Sequence, residues 1–174
     1  MDKTQLKILK EIAQLEQVPQ GAYNFRVDGQ LDARNTTANI DIVSKTDGKP
    51  GIDIVIKPGT RGESVHIPVI ISQSGLTDVV YNDFYIGEGA DVDIVAGCGI
   101  HNAGCETSQH DGIHVFHVGK NARVRYVERH YGEGEGTGER ILNPRTEVYL
   151  EEGASITMEM TQIKGVDSTI RDTV

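Results

Sequence analysis

The chain has no tryptophan, only three phenylalanines and six tyrosines, and two cysteines in 174 residues. Two thiols, Cys98 and Cys105, are too few for a disulfide framework, so a hydrophobic core must carry stability and a reducing, cytoplasmic setting is expected. Scarce aromatics leave few large side chains with which to fill a thick core. Basic residues are also short, 17 Lys and Arg against 26 Asp and Glu for a net charge of −9. That balance argues against nucleic acid or an anionic membrane as partner, since both require clustered cations. No apolar run approaches the ~18 residues of a membrane span. The first twenty residues interleave Lys and Glu with apolar positions, so a signal peptide is not expected.

Glycine is what the chain has in excess, 20 residues, and a chain so rich in it turns often. The length fits one domain. In residues 4–16, Leu6, Ile8, Leu9, Ile12 and Leu15 recur at spacings of three and four, which predicts a helix capped by Asp2 or Thr4. Val18 to Gly21, with Pro19 between, ends it. Residues 1–20 therefore read as a helix and linker. From residue 21 to 174 the pattern is strand-like, as in Ile40 and Ile42 around Asp41, the isoleucines at 52, 54 and 56, and the run Val65 to Ile71.

Three segments, 84–94, 116–126 and 148–158, superimpose without gaps, with Ala90, Ala122 and Ala154 at a constant offset of 32 residues. Each places alternate apolar residues on one side of a strand, a sharp corner and a second strand. Such a unit buries its apolar face only by stacking on its neighbours, which predicts a parallel β-solenoid. If one repeat is one coil, Asp91 lies over Arg123 and Asp93 over Arg125, pairs of opposite charge on neighbouring strands. The same parity turns His114 inward and His117 outward.

Ligand-type residues are densest between Cys98 and His117. Cys98, His101 and Cys105 have a loosely ligand-like spacing, and the 32-residue register adds His130 over Cys98 and Glu133 over His101. Cys98, His101, Cys105 and His130 are thus the candidate soft-metal ligands, with His110 as a substitute fourth. A structural reading stands beside it, in which Cys98 is a small buried apolar residue and the histidines are hydrogen-bonded loop residues. Gly132 to Glu139 lacks the Lys-Ser/Thr of a phosphate loop and carries acids that would repel phosphate, so it reads as a flexible loop. Glu133, Glu135 and Glu139 could hold calcium, but the nonapeptide of calcium-binding β-rolls does not recur. No motif compels an enzyme.

Several stretches resemble the SufB/SufD family of iron–sulfur cluster assembly proteins. They are Ala96-Gly97-Cys98-Gly99-Ile100-His101-Asn102, Ser108-Gln109-His110-Asp111-Gly112-Ile113-His114, Gly134-Glu135-Gly136-Thr137-Gly138-Glu139-Arg140 and the start Lys3 to Lys10. The resemblance implies a right-handed parallel β-helix after one short N-terminal α-helix, and a non-enzymatic scaffold carrying a transient iron–sulfur cluster. It also implies partners, a SufC-type ABC ATPase and a second SufB/SufD-type subunit. Members of the family continue through more β-helix, so the core at 21–174 is expected to be incomplete at its C-terminal side, with an open edge near 155–174 that favours a homo-oligomer. Two other classes are weighed: a cupin-like or β-helix metal-binding protein, and a β-helix carbohydrate-active enzyme. The cupin lacks its two histidines one residue apart, and the enzyme lacks an abundance of aromatics.

Overall fold

The computed structural model describes residues 1–174. One helix, α1 (Lys3–Ala13), precedes a hairpin of β1 (Ala22–Val27) and β2 (Gln30–Asn35), and a second of β3 (Ile40–Ser44) and β4 (Gly51–Ile56). The chain then winds as β5 (Arg61–Ile71), β6 (Thr77–Ile86), β7 (Asp91–His101), β8 (Ser108–Val118) and β9 (Arg123–Glu133). It closes with β10 (Arg140–Leu142), β11 (Arg145–Leu150), β12 (Ser155–Lys164) and the two-residue β13 (Asp172–Thr173). Successive strands alternate between two sheets, ordered β12-β9-β7-β5-β1-β2 and β13-β11-β8-β6-β4-β3. Apart from the two hairpins every pairing is parallel, so β4–β5, β6–β7, β8–β9 and β11–β12 are four stacked coils of a β-solenoid.

The repeat is one coil. Phe84 pairs with Phe116 and Phe116 with Val148, while Val92 pairs with Val124 and Val124 with Ile156, all at the predicted offset. Asp91 does lie over Arg123 and Asp93 over Arg125. The ion pairs form elsewhere, however: Arg61, the register partner of Asp91 in the preceding coil, reaches it at 4.0 Å, and Arg125 reaches its diagonal neighbour Glu159 at 3.0 Å, because long side chains on a strand reach diagonal as well as direct neighbours.

The corner between the sheets explains the alanine column. Gly59, Gly89, Asn121 and Gly153 stack there, each with φ between 58° and 73°. At such a residue a glycine costs nothing, and asparagine is the side chain that tolerates it best. The Gly89 amide donates to the Lys120 carbonyl one coil on, and the Asn121 amide to the Glu152 carbonyl, so the corner carries its own ladder. Ala90 and Ala122 follow it inward, both 1% exposed, with Ala154 packed against the same core. Replacing Ala122 by Leu is expected to overpack this column and cost about 1–3 kcal/mol in chemical denaturation; an unchanged midpoint would show a cavity the packing does not have.

The opposite corner corrects one expectation. Residues 134–139 are not a free loop but lie on the loop 102–107 of the preceding coil. The Gly136 amide donates to the Asn102 carbonyl and the Gly138 amide to the Gly104 carbonyl. A Cβ added at Gly134, Gly136 or Gly138 would come within 2.0–2.3 Å of a backbone oxygen below it, so the alternating glycines let two loop backbones touch.

Helix α1 is shorter than predicted, ending where Gln14 turns left-handed rather than at Pro19. Asp2 caps it in a reciprocal box with Gln5. Ile8, Leu9 and Ile12 are buried against the outer face of β7 and β9, whereas Leu6 stays 45% exposed. The helix sits this close because β7 offers Gly97 and Gly99, where a Cβ would strike Ile12 and Ile8. On the outside of the other sheet, Tyr85, His117 and Tyr149 stack at 4.8 Å and 5.7 Å with ring planes within 11° of parallel.

Candidate functional site

The interior of the solenoid is divided. Near the alanine corner it is filled by Phe84, Ile86, Val92, Ile94, Phe116, Val118 and Val124. Toward the glycine loops the inward positions of the same strands turn polar. Asp78 and Asn82 come from β6, Cys98 from β7, His110 and His114 from β8, and Tyr126, Glu128 and His130 from β9, all buried. Cys98, His110, His114, Glu128 and His130, with Leu142, Asn143 and Pro144, line an interior chamber of about 20 Å³. Buried polar groups on this scale must satisfy one another.

They do so in a directed chain. Asn82 Nδ2 lies 3.4 Å from His114 Nε2, His114 Nδ1 lies 2.8 Å from the Tyr126 hydroxyl, and that hydroxyl donates to Glu128 Oε1 at 3.0 Å. Since Glu128 can only accept, the direction fixes a neutral His114 with its proton on Nδ1. Burial holds the His114 imidazole down to about 4, and the Glu128 charge only partly opposes it. Burial alone would raise the Glu128 carboxyl. His130, 3.8 Å away, His114 and the Arg171 guanidinium at 2.7 Å outweigh it and hold Glu128 well below the usual carboxylate range, the Arg171 contact being the one of hydrogen-bond length. A second buried cluster sits beside the first. Arg26 grips Asp78 through two hydrogen bonds of 2.9 Å and 2.7 Å. His110 Nδ1 lies 3.3 Å from Asp78 Oδ2 but out of line for a hydrogen bond, leaving that nitrogen without a partner.

The structure brings together part of the predicted metal set. Cys98 and His130 are register partners facing the same chamber, and His110 joins them. His101 does not, since three residues from Cys98 on a strand it points to the other face. There it binds Glu133 Oε1 at 3.1 Å, and Glu133 also takes the Lys7 ammonium at 2.6 Å and the Tyr131 hydroxyl at 2.8 Å. Cys105 is exposed on the loop 102–107 and is not part of the chamber wall. As packed, no three His, Cys, Asp or Glu side chains come together as a metal-ligand group. Burial, with Asp78 and Glu128 adding to it, pushes the Cys98 thiol well above its ordinary range. Cys98 is therefore held as a thiol until a cation or a base takes its proton.

Tyr126, Glu128 and Arg171 were not singled out from the sequence. Extending the inward parity of Val124 and Tyr126 by one step places Glu128 inside, and a carboxylate at an inward position was the available signal. Arg171 had none, because it arrives from outside the repeat. Comparison with protein-family models and with curated proteins returns no match to this chain.

Proposed function

We propose that the protein is a non-enzymatic scaffold component of iron–sulfur cluster assembly, working with a SufC-type ABC ATPase and a second SufB/SufD-type subunit. The observation that carries this reading is the stacking of His130 on Cys98 inside the solenoid, next to Glu128. A thiol, an imidazole and a carboxylate on adjacent coils are the donor types that iron and its sulfide clusters use. Iron and sulfide are cargo in this reading, and the solenoid supplies rigid walls. The open edge at β12 offers a place for another subunit, including a second copy of the chain.

Anaerobic incubation with Fe²⁺ and sulfide, alone and with a second SufB/SufD-type subunit, is expected to give sulfide-to-iron charge-transfer absorption. Cys98→Ser should abolish it and Cys105→Ser should leave most of it. Absorption that is absent from every mixture, or indifferent to Cys98, would overturn the reading.

A further inference from the structure

Residues 167–174 are all exposed, yet Arg171 reaches a buried group. Its Nη1 donates to Glu128 Oε2 at 2.7 Å and lies 2.7 Å from Met160 Sδ, while the Glu128 side chain is only 5% exposed. The backbone around it crosses a gap in the fourth coil. Pro144 has no amide hydrogen and divides what is one continuous strand in the coil below, β8, into β10 and β11. Segment 167–174 spans that division. The Leu142 amide donates to Ser168 O, the Ile170 amide to Asn143 Oδ1 and the Asp172 amide to Pro144 O. Leu142, Asn143 and Pro144 are also walls of the chamber, so the segment lies over its mouth.

What lies beneath fits a small cation. A space of about 20 Å³ holds one water-sized body and no more. His110, 6% exposed, is a further wall of this space, its unpartnered Nδ1 turned toward Asp78 at 3.3 Å. Lifting Arg171 away takes from the buried Glu128 its one cationic partner at hydrogen-bond length, and breaking such a buried pair costs several times what an exposed pair is worth. A metal ion restores the balance. We propose that Arg171 is a resident counter-ion closing the chamber, and that its exchangeable replacement is a single soft divalent cation held by Cys98, His130 and Glu128 when segment 167–174 lifts. The cation bonds the Cys98 sulfur as the thiol proton passes to water through the opened mouth. The proposal rests on the scaffold reading's use of this chamber and adds that cargo enters one ion at a time, a cluster needing more room than the closed solenoid gives.

The test uses the full chain carrying Cys105→Ser, so that Cys98 is the one thiol. Methyl methanethiosulfonate reports access to the sulfur, and Cd²⁺ titration followed by thiolate-to-cadmium absorption reports binding. Arg171→Gln is expected to raise both the labelling rate and the Cd²⁺ affinity by about tenfold or more, and Arg171→Lys, which keeps the charge, to raise them less. Circular dichroism and a denaturation midpoint establish that each variant is folded. Unchanged labelling and unchanged Cd²⁺ affinity in folded Arg171→Gln would overturn the proposal, as would a cadmium signal that survives Cys98→Ala. Cadmium exchange that behaves as expected in a protein giving no cluster absorption would instead count against the scaffold reading alone.

Discussion

Lowering the pH from 6.5 to 4 is expected to remove about 3 kcal/mol of folding stability through His114 alone. The imidazole has its ordinary value near 6.5 in the unfolded chain and is held down to about 4 in the fold, chiefly by burial, with His110 and His130 adding to it and Glu128 opposing. Below pH 6.5 the unfolded chain takes up a proton that the folded chain refuses, so stability is fully present above 6.5. It falls through the window and stops falling below about 4. His66, lowered by burial, acts in the same sense. Glu128 and Asp78, held below the usual carboxylate range, extend the loss to lower pH as they protonate. Urea denaturation at a series of pH values measures the slope, and His114→Gln should flatten it between 6.5 and 4. Equal slopes in parent and variant would show that the Asn82–His114–Tyr126–Glu128 chain is not the acid-sensitive element.

Self-association through β12 is the other large expected effect, with a two-fold dimer as the species seen by light scattering. β12 ends its sheet, and nothing pairs with its far side. The cost of that shows in the core. Ala122, Val124 and Tyr126 are at most 1% exposed, whereas Ala154, Ile156 and Met158 one coil later are only partly buried. An edge ten residues long, with Glu159 as its one charge before Lys164, lacks the protections that keep sheet edges apart. Antiparallel pairing about Met158 would set Ile156 opposite Met160 on the inward face, Thr157 opposite Glu159 and Ser155 opposite Thr161 on the outward face. That register is self-complementary and places no like charges together. Ser155→Lys combined with Thr161→Lys puts lysines across from one another and should return the monomer. A parent that is monomeric at high concentration, or a double variant that still dimerises, would exclude this edge.

The solenoid was legible because its strongest signal is arithmetic. An offset of 32 residues survives any change in which particular apolar residue fills a column, and parity then sorts His114 from His117 and stacks His130 on Cys98. Nonlocal backbone contacts are where reading along the chain ran short. Gly134, Gly136 and Gly138 have the composition of a flexible loop, and only the loop beneath them reveals that the missing side chains make room for a neighbour. Arg125 chose a partner, Glu159, that register alone does not specify, since side-chain reach decides among neighbours a few ångströms apart. His101 and Cys105 share a sequence neighbourhood with Cys98 but not its face of the strand. Arg171 is the extreme case, meeting Glu128 across 43 residues with no periodicity to announce it.

The column of Tyr85, His117 and Tyr149 gives the molecule an optical signature. With no tryptophan in the chain, ultraviolet emission comes from tyrosine alone, and two of the six emitters sandwich an imidazole that lies 3.3 Å from Asp83. Tyr149 is 54% exposed, and one face of its ring has no ring stacked on it. Light from this face of the solenoid therefore reports, without any label, whatever comes to rest on Tyr149 at the end of the stack.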